Sequence, residues 1–291
     1  MREVREMKKL RIAMTKLLVK TVGKLSDGIS ISFRYGFTSG KMLDYVYRNK
    51  PSGRTFLGKL IDRIYLSHIG WRSIRIRKAN LERELKKSIK RVLSRNGEAS
   101  ILDIASGPAR YIIDTLSETG GARVKATCMD VDRRWIEEGG KKARELKLSN
   151  VNFKKGNAFD NACFGENPDI VVSSGFYDWI TDNRKVLDSM EIIYRNMKHG
   201  GYFIFTNQCG HCDLEMVKEI FVDFNNNPLN MVTRSTQIMN SWAEKAGFRI
   251  IESVTDPWHY YSITLAYKER RKLPAGLDNP GQGCPGIRMA V

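Results

Sequence analysis

The stretch Asp103 to Arg110, DIASGPAR, decides how the rest of the chain is read. It closes the apolar run SILDIA and opens the helix-like run RYIIDTL. A buried strand that turns through small residues into a helix begins a strand–helix–strand unit. The turn holds one glycine, Gly107, whereas a dinucleotide loop carries three at fixed spacing. A pyrophosphate site is therefore not indicated, and the use of the loop depends on the segments C-terminal to it.

Those segments alternate. RVKATCMD reads as a strand, RRWIEEGGKKAREL as a helix, and VNFKKG and DIVVSSG as further strands. TDNRKVLDSMEIIYRNMK carries Val186, Met190, Ile193 and Met197 at helical spacing. GGYFIFTN is a strand, helices come next near 212–224 and 235–246, and FRIIESVT and YYSITLAY close the region as two strands. The expectation is an α/β fold: a doubly wound, mostly parallel seven-stranded sheet with an antiparallel last strand. It would occupy residues 98–270. Residues 271–291, rich in Gly and Pro, read as a flexible tail. Residues 1–97 read as an N-terminal helical cap, with helices near 3–25, 40–49, 54–68 and 71–93, punctuated by Gly23, Gly28, Gly36 and Gly40.

Charge separates the two parts. The 291 residues carry a net charge of +17. Residues 1–100 hold 25 Lys/Arg against 8 Asp/Glu, and residues 101–291 hold 24 against 24. A basic arm on a neutral body suits anionic lipid headgroups, nucleic acid or an acidic partner. Helix 3–25 puts Met7, Leu10, Met14, Leu17 and Leu18 on one face among lysines, a pattern that can lie on an anionic membrane surface. No apolar run reaches transmembrane length and no secretory signal is visible, so a cytoplasmic protein, peripheral at the membrane at most, is expected. Five cysteines without framework spacing read as reduced thiols.

In an open parallel sheet, ligands bind beyond the carboxyl ends of the strands. Ala105, Ser106, Gly107 and Pro108 let the backbone approach a ligand closely at the first strand end. Asp130 ends the second strand, where a carboxylate can accept both hydroxyls of a ribose. After the third, GNAFD offers Asn157 and the Ala158 backbone to an adenine edge. This set, in this order, resembles the class I S-adenosylmethionine-dependent methyltransferases over residues 100–267. ILDIASGPAR matches their first motif with Asp103 and Gly107 in place and Ala105 where a glycine is usual; Asn157 stands where Asp is more frequent. The resemblance implies S-adenosyl-L-methionine as cofactor, held by Asp103, Ala105, Gly107, Arg110, Asp130, Asn157, Ala158 and Ser174. GFTSGKMLDYVYRNKPSGRTFLGKLIDRIYL, IGWRSIRIRK and SSGFYDWITDN extend the similarity, over about 28–267, to a little-studied group of bacterial methyltransferases.

A sulfonium methyl is already activated, so holding an acceptor in line can supply about 7–11 kcal/mol of the barrier. A general base is needed only where the acceptor must lose a proton. Tyr177 and Asp178 after the fourth strand and His211 after the fifth are the candidates, with Tyr177 and His211 taken as the catalytic pair. CGHC, residues 209–212, has the spacing of a redox pair, but it comes after the fifth strand and lacks a preceding Trp. No second ligand pair supports a metal. No NPPY-like run or Pro-Cys stands after the fourth strand, against amide-nitrogen and cytosine chemistry. The cap contributes Tyr35, Tyr45, Tyr47, Trp71 and Arg75 as a candidate substrate-binding lid. The expected function is methyl transfer to a small-molecule or lipid acceptor by in-line displacement. The alternatives are an RNA methyltransferase gripping phosphates with its basic N-terminal region, and a non-catalytic cofactor-binding protein.

Overall fold

A computed structural model describes residues 2–119, 123–165, 167–211, 213–223 and 225–270, with side chains from Glu6 onward. The N-terminal part holds α1 (Arg2–Lys20), a 3₁₀ turn (Val22–Leu25), α2 (Asp27–Tyr35), α3 (Gly40–Arg48), α4 (Phe56–Leu66) and the long α5 (Ile69–Asn96). Next come β1 (Ala99–Ile104), α6 (Arg110–Thr119), β2 (Val124–Asp130), α7 (Arg133–Glu145), β3 (Val151–Lys155) and β4 (Ile170–Ser173). The chain closes with α8 (Asn183–Arg195), β5 (Tyr202–Gln208), α9 (Leu214–Ile220), α10 (Thr236–Lys245), β6 (Arg249–Thr255) and β7 (Tyr261–Tyr267).

The seven strands form one sheet in the order β3-β2-β1-β4-β5-β7-β6. β7 alone runs against its neighbours, as expected of a final strand reached without a crossover helix. Successive residues on the central strands serve opposite faces. Ile101, Ile170, Val172 and Ile204 pack with α5 and α6, whereas Leu102, Val171, Phe203 and Phe205 pack with α8 and α10. Both faces are covered, so these strands read as continuous apolar runs.

Two features of the cap were not expected. The glycines at 28 and 36 suggested a broken segment, yet α2 forms across Gly28. A Cβ at Gly28 would lie 2.7 Å from Asp62 Oδ1 and 2.9 Å from Tyr45 Cε1, so close approach, not flexibility, requires glycine there. Ser26 caps the helix, its hydroxyl accepting from Ile29 N–H at 3.1 Å. The second feature is α5, which the boundary at 97 assigned to the cap. Leu81, Leu85, Ile89 and Val92 on it are buried in the core beneath β1 and β5. α5 therefore runs from the packing of the cap into the core of the sheet. Of the helix expected near 212–224, α9 occupies only Leu214–Ile220.

Candidate active site

Between β1 and β4 the strand order reverses, and the crevice there opens at the carboxyl ends of the strands. The loop after β1 forms its floor. Ala105 (φ 48°), Gly107 (φ 54°) and Ala109 (φ 51°) are all left-handed, so the chain turns sharply there. Asp130, at the end of β2, holds this turn: its Oδ2 accepts Gly107 N–H at 2.8 Å and its Oδ1 accepts Asp132 N–H at 2.9 Å.

Above the loop lies a cavity of about 900 Å³, walled by the cap and by the ends of β1, β2, β4 and β5. Its size is at the upper end of ligand pockets. A carboxylate offers about four acceptor positions. Two on Asp130 are taken by backbone N–H groups, so two remain for the hydroxyls of a ribose. This acceptor set fits the ribose of an adenosyl group.

Eight of the residues expected at the site meet here: Ala105, Gly107, Arg110, Asp130, Ser174, Tyr47, Trp71 and His211 all line the cavity. Arg110 also ties cap to loop, its guanidinium donating to Asp44 Oδ1 and Asp114 Oδ1, both at 2.9 Å.

Others are placed elsewhere. Asp103 lies wholly buried below the loop, accepting from Tyr111 Oη–H at 2.6 Å, and burial holds its carboxyl well above the usual range. Asn157 and Ala158 do not line the cavity; Asn157 Oδ1 closes its own turn by accepting Phe159 N–H at 3.0 Å. Tyr177 is wholly buried beneath the sheet, its hydroxyl 3.4 Å from Ser189 Oγ, and burial pushes the phenol up. It does not line the cavity, unlike the catalytic position expected of it. Of the lid residues, Tyr45 donates to Asp62 Oδ2 at 2.5 Å inside the cap. Lys41 sits 4.0 Å above the Tyr35 ring, away from the cavity, and Arg75 donates to Leu66 O at 3.0 Å. Tyr47 and Trp71 alone of the five face the cavity.

His211 lines the cavity in a role other than the one expected. Its Nδ1 accepts Asp213 N–H at 3.2 Å, so the hydrogen of the neutral ring sits on Nε2. Burial, with His68 nearby, lowers its pKa to about 4 against a weaker opposing pull from Asp213. A neutral imidazole whose free nitrogen carries hydrogen is a donor, not a base. Of the CGHC pair, Cys209 Sγ lies 3.2 Å from Thr236 Oγ1, and Cys212 lies outside the described residues, as does the tail 271–291.

The polar end of the cavity brings together groups that sequence spacing does not combine. Asp178, a base candidate by sequence, is buried there: its Oδ1 accepts Gln208 N–H at 2.9 Å and Arg77 Nη1 stands 3.5 Å from its Oδ2. Burial raises its pKa, and Arg77, that N–H and Arg234 oppose the shift. Arg77 in turn lies 4.6 Å above the Tyr261 ring. Beside them the Gln208 side chain is wholly buried, lines the cavity, and has no partner for either amide atom. The available signal was the end of FIFTNQ, where an apolar buried strand finishes on polar residues at its carboxyl end.

A glycine-containing turn, a strand-end carboxylate and a cluster of buried polar groups thus meet in one cavity at the mouth of a doubly wound sheet. Residues 2–268 match the sequence family described as "Putative methyltransferase", and the chain belongs to that family. Protein YnbC of Escherichia coli (strain K12), itself described as uncharacterized, is 29% identical over 255 residues. That match takes in 86% of this chain but 43% of YnbC, so the chain spans less than half of that relative. Among solved structures, magnesium protoporphyrin IX methyltransferase from Synechocystis, determined with bound SAH, shares the fold. The TM-score is 0.53, with 13% identity over 81% of this chain and 98% of that one. A "possible exported protein" from Bordetella parapertussis superposes with a TM-score of 0.65, at 15% identity over 79% of each chain. At such identities the likeness is one of fold.

Proposed function

We propose that this cavity transfers a methyl group from S-adenosylmethionine to the polar end of a small-molecule or lipid acceptor. The observation that carries the reading is the division of one cavity into two ends. One end has Gly107 and Asp130 with unused acceptor positions; the other has Asp178, Gln208 and His211 under an otherwise apolar roof.

The bound donor supplies a methyl already activated as a sulfonium. Asp130 would hold the ribose and the 105–109 turn would support the adenosyl group. At the far end, the unpaired Gln208 amide can both donate to and accept from an acceptor headgroup, which orients it. An unpaired buried amide costs the folded chain about 1–3 kcal/mol, recovered when a ligand supplies partners. Asp178 is the group placed to take a proton. Burial raises its affinity for one, and the Arg77 guanidinium opposes that shift. His211 Nε2–H is available as a donor. Tyr47, Trp71 and Phe37 close the apolar wall and exclude water.

The test is Asp178→Asn, assayed with radiolabelled methyl donor against fractionated lipid and small-molecule pools. Methyl transfer into the fraction that the wild type labels should fall about 100-fold or more. Donor binding by titration calorimetry should stay within about twofold. A variant as active as the wild type removes Asp178 from the chemistry. A wild type that binds donor yet labels no pool leaves a non-catalytic binding protein.

A further inference from the structure

α1 is amphipathic, and it is oriented against the usual rule. Three of its basic residues reach across to the α9 region while staying partly exposed: Lys8 pairs with Glu215 at 2.5 Å, Arg11 with Asp213 at 3.8 Å and Lys16 with Glu219 at 3.9 Å. Its apolar stripe faces water, with Met7, Leu10, Met14, Leu17 and Leu18 between 60% and 71% exposed. Nearby α4 does the same. Phe56 is 88% exposed and Ile64 67%, with Leu57 and Leu60 between them. The 3₁₀ turn at Val22–Leu25 packs against both helices and joins the two stripes. Single exposed apolar residues need no explanation, but two adjoining helical faces of them mark a surface that something covers.

That surface is also the rim of the cavity. Leu18, Val22, Leu57 and Ile64 are exposed and line the cavity at once, so the apolar wall of the site runs out continuously onto the apolar faces of α1 and α4. Around them stand exposed Lys20, Lys24, Arg54, Lys59 and Arg63. A second copy seated here would set this basic rim against its own like. An anionic bilayer offers both an apolar interior for the stripes and negative headgroups for the rim.

We infer that α1 and α4 form a docking face that seats the cavity mouth on an anionic bilayer. Docking itself is independent of the reaction; that an acceptor enters from the bilayer rests on the methyltransferase reading above. The sequence marked α1 alone. The contribution of α4 and the continuity with the cavity come from the fold, because residues 10 and 56 have no relation in sequence.

The experiment is co-sedimentation of the full chain with vesicles of phosphatidylcholine, with and without phosphatidylglycerol. Two double variants, Leu10→Glu/Met14→Glu and Phe56→Glu/Leu60→Glu, change residues outside the cavity lining. The wild type should sediment with the anionic vesicles and at least tenfold less with neutral ones. Each double variant should lose tenfold or more of that binding while melting normally and binding S-adenosylmethionine as the wild type does. A wild type that stays in the supernatant, or variants that sediment equally, overturn the inference. So does light scattering that finds a lipid-free dimer which either variant dissociates, since a second copy then covers the face. A wild type that binds vesicles but no S-adenosylmethionine would sink the methyltransferase reading and leave the docking face standing.

Discussion

Two of the buried carboxylates that organise backbone turns, Asp62 in the cap and Asp130 at the sheet mouth, differ in what they have left over. Asp62 is saturated. Its Oδ1 accepts Ser26 Oγ–H at 2.6 Å and Gly28 N–H at 2.8 Å, and its Oδ2 accepts Tyr45 Oη–H at 2.5 Å and Ser52 N–H at 2.9 Å. Four acceptor positions meet four donors, from three separate segments: 26–28, α3 and the turn at Ser52. Asp130 uses two positions on neighbouring turns and presents the rest to a cavity. A saturated carboxylate is a fastener. One with spare acceptor capacity at a strand end can receive hydroxyl groups that the chain itself does not supply.

The comparison is broken most directly at Asp62. Asp62→Ala strands four donors, three of them buried and each of those costing about 1–3 kcal/mol, so a loss of stability on the order of 4 kcal/mol or more is expected by denaturant melting. Asp62→Asn should recover little, because its NH₂ would face two donors whichever way the amide turns. A melt unchanged within about 0.5 kcal/mol would mean that water satisfies the network and that Asp62 fastens nothing.

Asp130→Ala should behave differently. Two backbone N–H groups at the rim of a cavity lose a partner, and cavity water can replace it, so stability should fall by about 1 kcal/mol. The larger effect belongs to binding: affinity for S-adenosylmethionine should drop tenfold or more, about 1.4 kcal/mol, by calorimetry. If Asp130→Ala instead unfolds the chain as Asp62→Ala does, with donor affinity preserved in the folded remainder, both carboxylates are fasteners.

The same contrast explains what was legible in the sequence. The sheet was legible because each buried strand is a short apolar run and each strand end carries its own marker. Gly107 and Asp130 therefore fell where expected. The helices of the cap near 3–25, 40–49, 54–68 and 71–93 were legible too, but the roles of its residues were not, because they depend on partners far along the chain. Tyr45 looked like a lid aromatic until Asp62 claimed its hydroxyl, and Gly28 looked like a breaker until Tyr45 and Asp62 filled the space beside it. Asn157 failed for a local reason: an Asn two residues before a free N–H can close an Asx turn on itself. Asp178 and Tyr177 are adjacent, and sequence spacing could not say which would face the cavity. The short 3₁₀ turn at Tyr177–Trp179 sends the phenol under the sheet and the carboxylate to the mouth.

His211 provides the smallest and most delicate contrast, a cavity residue whose burial shows in pH. Its folded pKa of about 4 lies below the roughly 6.5 of an exposed imidazole. Between those values the unfolded chain binds a proton that the folded chain refuses. Stability therefore falls as pH drops from about 6.5 towards 4, by at most about 1.4 kcal/mol per pH unit for this group, less where solvent reaches the ring. His211→Gln keeps a polar side chain that cannot titrate. Melts at pH 7 and pH 5 should show the wild type losing on the order of 1 kcal/mol more than the variant, all other groups being common to both. Equal losses would mean that the ring protonates as freely in the folded chain as in the unfolded one. Burial would then not set the charge of His211, and only the Asp213 N–H on Nδ1 would keep its free nitrogen a donor.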